Sequence, residues 1–324
     1  MRLSFLLPGT PFALIMIGAP AMAEVPRIVT DTHVTASLVQ QVMGDLGAPE
    51  VLLDQGADPH NFQLRPSQAA ALQDADLLIW TGPELTPWLA RAAAQREPLG
   101  QYPLLSAATT MTRNFDAPHD HDHGHDHDHD HGGDDHHSAG GAPTFTADPM
   151  LDPHAWLDPA NGQAWLAEIA AQLGRIDPEN AGIYRLNATE GQDIIARLDA
   201  ELATELAGAA GRPFVTFHDA YGYFTDHYGL EPAIAISGSD AASPSAARLR
   251  EVRQRISDSG AVCAFPEANQ SPRTVEELTR ETGLRIGDAL SPEGSGLTPG
   301  AALYPDLLRS MATRILACLN GPAE

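Results

Sequence analysis

Lysine is absent from this 324-residue chain. Its absence removes Schiff-base chemistry and the lysine of a phosphate-binding loop from the functions open to it. Cysteine is almost absent too: Cys263 and Cys318 are the only pair, too far apart to form a CxxC metal or redox motif. Past the N-terminus no stretch approaches the roughly 18 consecutive apolar residues that a membrane helix needs. Positive charge is scarce, with 19 basic against 43 acidic residues and a formal net charge of −24. That balance argues against nucleic acid as a partner and makes a cation the natural ligand.

The first 23 residues have a charged Arg2, an apolar run centred on Phe12 to Ile17, and Ala21, Met22 and Ala23 as a small-x-small site. This is the pattern of a secretory signal peptide cleaved after Ala23. Removing residues 1–23 takes away Arg2 and no acid, which moves the net charge to −25. No cysteine follows the cleavage site, which argues against a lipid anchor. An exported chain meets an oxidising compartment, so one disulfide between Cys263 and Cys318 is expected, with two buried thiols as the alternative. Such a loop closure is expected to contribute about 4 kcal/mol in the chain-entropy model.

Residues 119–137 read HDHDHGHDHDHDHGGDDHH and hold nine of the fourteen histidines. They are His119, His121, His123, His125, His127, His129, His131, His136 and His137. With Asp116, eight aspartates fall between positions 116 and 137, and nothing there is apolar enough to build a core. Alternating imidazoles and carboxylates suit a zinc-like ion. A flexible run has no fixed geometry, and ordering it on a metal costs conformational entropy, so it is expected to be a low-affinity accessory loop over 116–142.

On either side of that loop, strand and helix patterns alternate. Strands are expected at Ile28–Asp31, Val51–Asp54, Asp76–Trp80 and near Leu104, with helices at 36–46, from Pro66, and at 84–95. After the loop, Asp158 and Pro159 open a helix whose apolar positions are Trp165, Leu166, Ile169 and Leu173. Asp177 and Pro178 open a second helix over 178–207, about 45 Å long and read as a rigid connector. Alternation then resumes: strands Pro213–Phe217, Pro232–Ile236, Ala261–Phe265 and Leu284–Gly287, with helices 220–228, 244–259, 272–282 and 299–319. The fold class is therefore α/β, two Rossmann-like lobes with parallel four-stranded sheets joined by a long helix. The expected divisions are 24–158 for the N-terminal lobe, 159–210 for the joining helices and 211–324 for the C-terminal lobe.

Only His33, His60, His154, His218 and His227 lie outside the run. Open α/β sheets bind ligands at the carboxyl ends of their strands. His60 lies in the loop after the second strand, His218 at the end of Pro213–Phe217, His154 before the first long helix, and Asp288 just past the last strand. Three imidazoles and a carboxylate drawn from both lobes would make a four-coordinate metal site in the interlobe cleft. His33 could also face that cleft, while His227 is expected to be structural.

The segments GADPHNFQLRPSQ around His60, DPHAWLDP around His154 and TFHDAYGYF around His218 resemble those of periplasmic zinc-binding proteins. These serve bacterial zinc ABC importers, the ZnuA type within solute-binding protein family 9, also called cluster A-I. The resemblance covers nearly the whole mature chain, the histidine-rich insertion included, and implies two α/β lobes joined by one long helix. It implies His60, His154 and His218 as zinc ligands, with the fourth position taken by Asp288, another nearby acid or water. Some zinc relatives have a glutamate just before the first histidine; Pro59 stands there in this chain, and Asp58 is a distant substitute. The implied function is capture of Zn2+ in the periplasm and its delivery to a membrane permease with a cytoplasmic ATPase, by a monomer and without catalysis.

Borderline-soft nitrogen ligands favour zinc on chemical grounds as well, whereas manganese is better served when carboxylates make up half the set. Manganese or iron carriage on the same fold is one alternative. A zinc hydrolase is another, with Glu267 after its strand recruited as general base, although the chain has no HExxH. An adhesive surface role is a third.

Overall fold

The computed structural model describes residues 25–96, 100–115, 151–238 and 244–321. The expected signal peptide and the histidine-rich loop 116–142 lie outside the described residues. The N-terminal lobe runs β1 (Ile28–Thr30), α1 (His33–Met43), β2 (Glu50–Val51), α2 (Pro66–Asp74), β3 (Leu77–Trp80), α3 (Pro87–Ala94) and β4 (Gln101–Pro103). Its strands are parallel in the order β2-β1-β3-β4. Along β3, Leu77 and Ile79 join the central core while Leu78 and Trp80 join the outer one, the period-2 alternation of a strand buried on both faces.

Two bounds differ from the sequence expectation for local reasons. Thr32 starts α1 three residues early, because its Oγ1 accepts the Thr35 backbone N–H at 3.2 Å and so satisfies an orphan donor. β2 ends at Val51, although the N–H groups of Leu52 and Leu53 still reach Thr30 O and Asp31 O at 2.9 Å.

Between the lobes come α4 (Pro159–Ile176) and α5 (Ala181–Leu206). The second begins at Ala181 instead of Pro178, since Asp177 folds the preceding residues into a turn. Its Oδ2 accepts from Asn180 Nδ2 at 2.8 Å and from the Tyr184 hydroxyl at 2.7 Å. The resulting 26 residues span about 39 Å. Along that length α5 packs on α4 and against α1 of one lobe.

The C-terminal lobe runs β5 (Phe214–His218), α6 (Gly222–His227), β6 (Ile234–Ser237), α7 (Ala246–Ser259), β7 (Cys263–Phe265), α8 (Arg273–Thr282), β8 (Arg285–Ile286) and α9 (Leu303–Leu319). Its strands are parallel in the order β6-β5-β7-β8. The expected disulfide joins Cys263 of β7 to Cys318 of α9, with their Cα atoms 6.1 Å apart. Arg285 supports the same end of α9 by donating to Cys318 O at 2.8 Å and Gly321 O at 3.0 Å, where unpaired helix carbonyls favour a cation.

One continuous apolar core runs through both lobes, from Ile28 and Leu77 through Trp165 and Tyr184 to Phe214 and Leu308. Helix α9 closes this core over α1 and α5. At the joint, the Tyr304 hydroxyl donates to Trp156 O at 2.8 Å. The Tyr304 backbone N–H donates to Ser37 Oγ, which donates in turn to Ala301 O, both at 3.0 Å. Residue 162 of α4 must be glycine here, because a Cβ would collide with the Tyr304 phenol. A packed joint of this kind resists wide opening of the cleft.

Candidate metal centre

In each sheet the strand order reverses between two central strands, β1 and β3 in one, β5 and β7 in the other. Such switch points open a crevice at the carboxyl ends of the strands. His218 is the last residue of β5, and Glu267 lies two residues past the end of β7, so the reversal sets them side by side. His154 sits in the turn before α4, where Asp158 Oδ1 accepts the Ala160 N–H at 2.8 Å and Pro159 begins the helix. His60 lies in the long loop after β2. That loop is anchored by Trp88 Nε1 donating to Pro59 O at 2.7 Å and by the His60 N–H donating to Asp58 Oδ1 at 2.9 Å.

These placements bring His154 and His218 together, with the His60 ring beside His154 but outside the group whose ligand atoms converge. The His154 and His218 Nε2 atoms are 3.5 Å apart, and both residues are 1% exposed. Two nitrogens bound to one tetrahedral zinc at ~2.05 Å would be about 3.3 Å apart, so this spacing suits a shared ion. The His60 ring centroid lies 5.6 Å from that of His154, and the His218 centroid lies 5.3 Å from it. His60 is half-buried.

Both buried rings are oriented through their other nitrogen. His154 Nδ1 is 2.8 Å from Asp152 Oδ1, and His218 Nδ1 is held by Glu267 Oε2. Asp152 is wholly buried and Glu267 nearly so. A carboxylate on Nδ1 keeps that nitrogen protonated and leaves the Nε2 lone pair for a metal. Burial pushes the His154 pKa below its ordinary value, and charges on His218 and His60 would lower it further, outweighing Asp152. The neutral, ligating form of the ring is therefore the favoured one.

The expected carboxylate is not where the sequence reading put it. Asp288 lies beyond β8, an edge strand of two residues, and is exposed. The acid brought to the imidazoles is Glu293, in the turn that follows: ligand atoms of His154, His218 and Glu293 all lie within 4.8 Å of one another, and all three residues are buried. That turn is tied back to the strand by Leu290, whose N–H donates to Pro266 O and whose carbonyl accepts from Ala268 N, both at 2.9 Å. Nothing in the sequence near PEGSG marks Glu293. Asp152, two residues before His154 in LDPH, is the local sequence signal of a partner for that ring.

The remaining solitary histidines fall elsewhere. His33 opens α1 half-buried, outside the group of three. His227 closes α6 and is clamped by two aspartates, Asp158 and Asp199, in keeping with a structural residue. The nine histidines of the run lie outside the described residues.

The family described as "Zinc-uptake complex component A periplasmic" matches residues 28–318. The chain belongs to that family. A relative named high-affinity zinc uptake system protein ZnuA, from Paracoccus denitrificans, is 55% identical over 321 residues, covering 93% of this chain and 94% of the relative. A protein of the same name from Brucella suis is 32% identical and covers 94% of each chain. Among solved structures, a manganese-bound periplasmic metal-binding protein from Candidatus Liberibacter asiaticus superposes with a TM-score of 0.72 at 21% identity, over 91% of this chain and 99% of that one. The laminin-binding protein of Streptococcus agalactiae, described as a bifunctional adhesin and metal transporter, gives 0.70 at 22%, over 90% and 99%. At those identities the likeness establishes the fold of this zinc-uptake family member, and its site is argued from its own side chains. No helix among the described residues is long and apolar enough to cross a membrane.

Proposed function

We propose that this chain captures Zn2+ between its two lobes and delivers it to the permease of a zinc ABC importer, whose cytoplasmic ATPase drives transport. The observation that carries the reading is the 3.5 Å separation of two Nε2 atoms on rings whose Nδ1 atoms are each engaged by a buried carboxylate. His154 and His218 form the fixed half of the site, His60 supplies a third imidazole, and Glu293 or a water completes four-coordination. With nitrogen in the majority, this set favours zinc over the manganese or iron of the alternative reading.

The chain works in the periplasm as a monomer once residues 1–23 are removed, its lobes being 24–158 and 211–324 with the helices of 159–210 between them. The run from His119 to His137 serves as a weaker accessory segment. The reading involves no catalysis. Glu267, the base that a zinc hydrolase would need, is already committed to orienting His218.

Competition titration of the mature protein against a zinc indicator tests the proposal. His218→Ala is expected to weaken the tight site at least tenfold, about 1.4 kcal/mol. Unchanged affinity removes His218 from the site and the proposal with it.

A further inference from the structure

Arg113 is the last charged residue before the histidine-rich segment, and Asp152 is the first after it among the described residues. The described residues on either side of 116–150 meet directly: Asn114 and Leu151 form an antiparallel bridge, and Asp152 N–H donates to Arg113 O at 3.0 Å. Side chains bind the same two residues a second time. Arg113 Nη1 donates to Asp152 Oδ2 at 2.9 Å, while the other oxygen, Oδ1, holds His154 through Nδ1 at 2.8 Å and through its backbone N–H at 3.0 Å.

Three further contacts come from α6, which follows the His218 motif. The Tyr223 hydroxyl accepts from Arg113 N–H at 2.9 Å and donates to Asp152 O at 3.0 Å, so one phenol stitches both backbones. Asp226 Oδ2 accepts from Arg113 Nε at 3.1 Å. The guanidinium carbon lies 5.9 Å from the centre of the Tyr223 ring and packs over Gly222, where a Cβ would displace it. A planar fork with several fixed donors suits this role better than an ammonium does.

A fully buried carboxylate is costly unless every lone pair is engaged, and one that is engaged on both oxygens cannot turn. We infer that Arg113 is a positioning residue for the metal site: through Asp152 it fixes the His154 ring so that Nε2 faces the ion, and it does so where the insertion's two ends meet. The inference rests on the zinc-capture reading and adds to it a residue that touches no ligand atom. Arg113 and Asp152 are clamped to each other and to α6.

The test is a double-mutant cycle on the mature full-length chain with Arg113→Met, Asp152→Asn and both, scored by zinc competition. Loss of an outer-shell partner typically costs about 10–100-fold in metal affinity. Asp152→Asn is expected within that range, Arg113→Met near tenfold, and the double variant no weaker than Asp152→Asn alone. Cobalt(II) bound at the site should show shifted visible bands in Arg113→Met, a change that general loosening of the fold would not produce. Arg113→Lys should recover part of the affinity. Unchanged affinity in Arg113→Met, or losses that multiply in the double variant, would overturn the inference.

A readout independent of metal separates this failure from that of the zinc reading. In the metal-free protein, side-chain 15N–1H correlation of His154 should report a single Nδ1–H ring in the parent and a mixture in Arg113→Met. If the parent binds no zinc yet the ring still responds, the capture reading fails and the positioning role stands. If the ring does not respond, the positioning role fails whatever the metal does.

Discussion

His154 is hydrogen-bonded to one carboxylate, Asp152, through Nδ1, and shares its pocket with two other imidazoles and with Glu293. His227 meets carboxylates on both ring nitrogens, Asp158 on Nδ1 and Asp199 on Nε2, each at 2.8 Å. Burial works to lower the pKa of both rings. In His154 it prevails, helped by the neighbouring imidazoles; in His227 the two aspartates prevail and the pKa is raised. One residue type thus holds its proton less readily in the cleft and more readily where helices are joined, His227 bridging Asp158 at the N-cap of α4 to Asp199 of α5. Counting histidines would not separate the two roles; asking which ring nitrogens are hydrogen-bonded to a carboxylate does, one in His154 and both in His227.

Exchanging the losses is the strongest way to break this comparison. His154→Ala should weaken zinc binding by about a hundredfold or more, consistent with loss of a buried ligand, while His227→Gln should leave it within about threefold. Urea unfolding should show the reverse for His227→Gln, with stability lower by about 2 kcal/mol as charge-assisted hydrogen bonds are lost. Comparable zinc losses in both variants would show that the two rings are not distinct.

The pH dependence sharpens the contrast, because the two rings contribute with opposite sign. His154 binds a proton less readily in the folded than in the unfolded state. Its contribution to metal-free stability is therefore complete above the unfolded value of ~6.5 and is lost as pH falls below it. His227 binds a proton more readily when folded, so its contribution is complete below ~6.5 and is lost as pH rises through its raised folded value. Zinc affinity should fall at acid pH, by up to about tenfold per pH unit for each ligating ring that takes up a proton, with His154 protonated at lower pH than a free imidazole. Urea titrations of the parent and His227→Gln from pH 5 to 9 should converge at the alkaline end, and a constant gap would contradict the charge assignment.

Much of this was legible in the sequence because it follows from period and position. Apolar patterning located seven of the eight described strands to within a residue or two; strand-end placement marked His60 and His218, and the segment before the first long helix marked His154, as candidates for one cleft. What escaped was set by tertiary closure. Asp288 lies at the position next to its strand that pattern alone would choose, yet the edge strand stops after Ile286 and leaves the side chain in solvent. Glu293 is carried inward by a turn whose path depends on Leu290 pairing with Pro266 and Ala268, just past the end of β7. Glu267 was visible as a residue after a strand, but its tie to His218, 49 residues away, appears only when β5 and β7 become neighbours.

The smallest effect is expected from deleting residues 116–142. Calorimetry should then show fewer weak zinc equivalents with the tight site changed by less than about threefold, since the clamp at Arg113 and Asp152 lies outside the deletion. Disappearance of the tight site would place it in the run instead of the cleft.

That shortened chain is also the right sample for the most direct test of the central claim, since its only histidines are the five solitary ones. X-ray absorption at the zinc edge, with one equivalent bound, should show three imidazole nitrogens at about 2.0–2.1 Å and one oxygen. A first shell with fewer than two imidazoles would contradict the account.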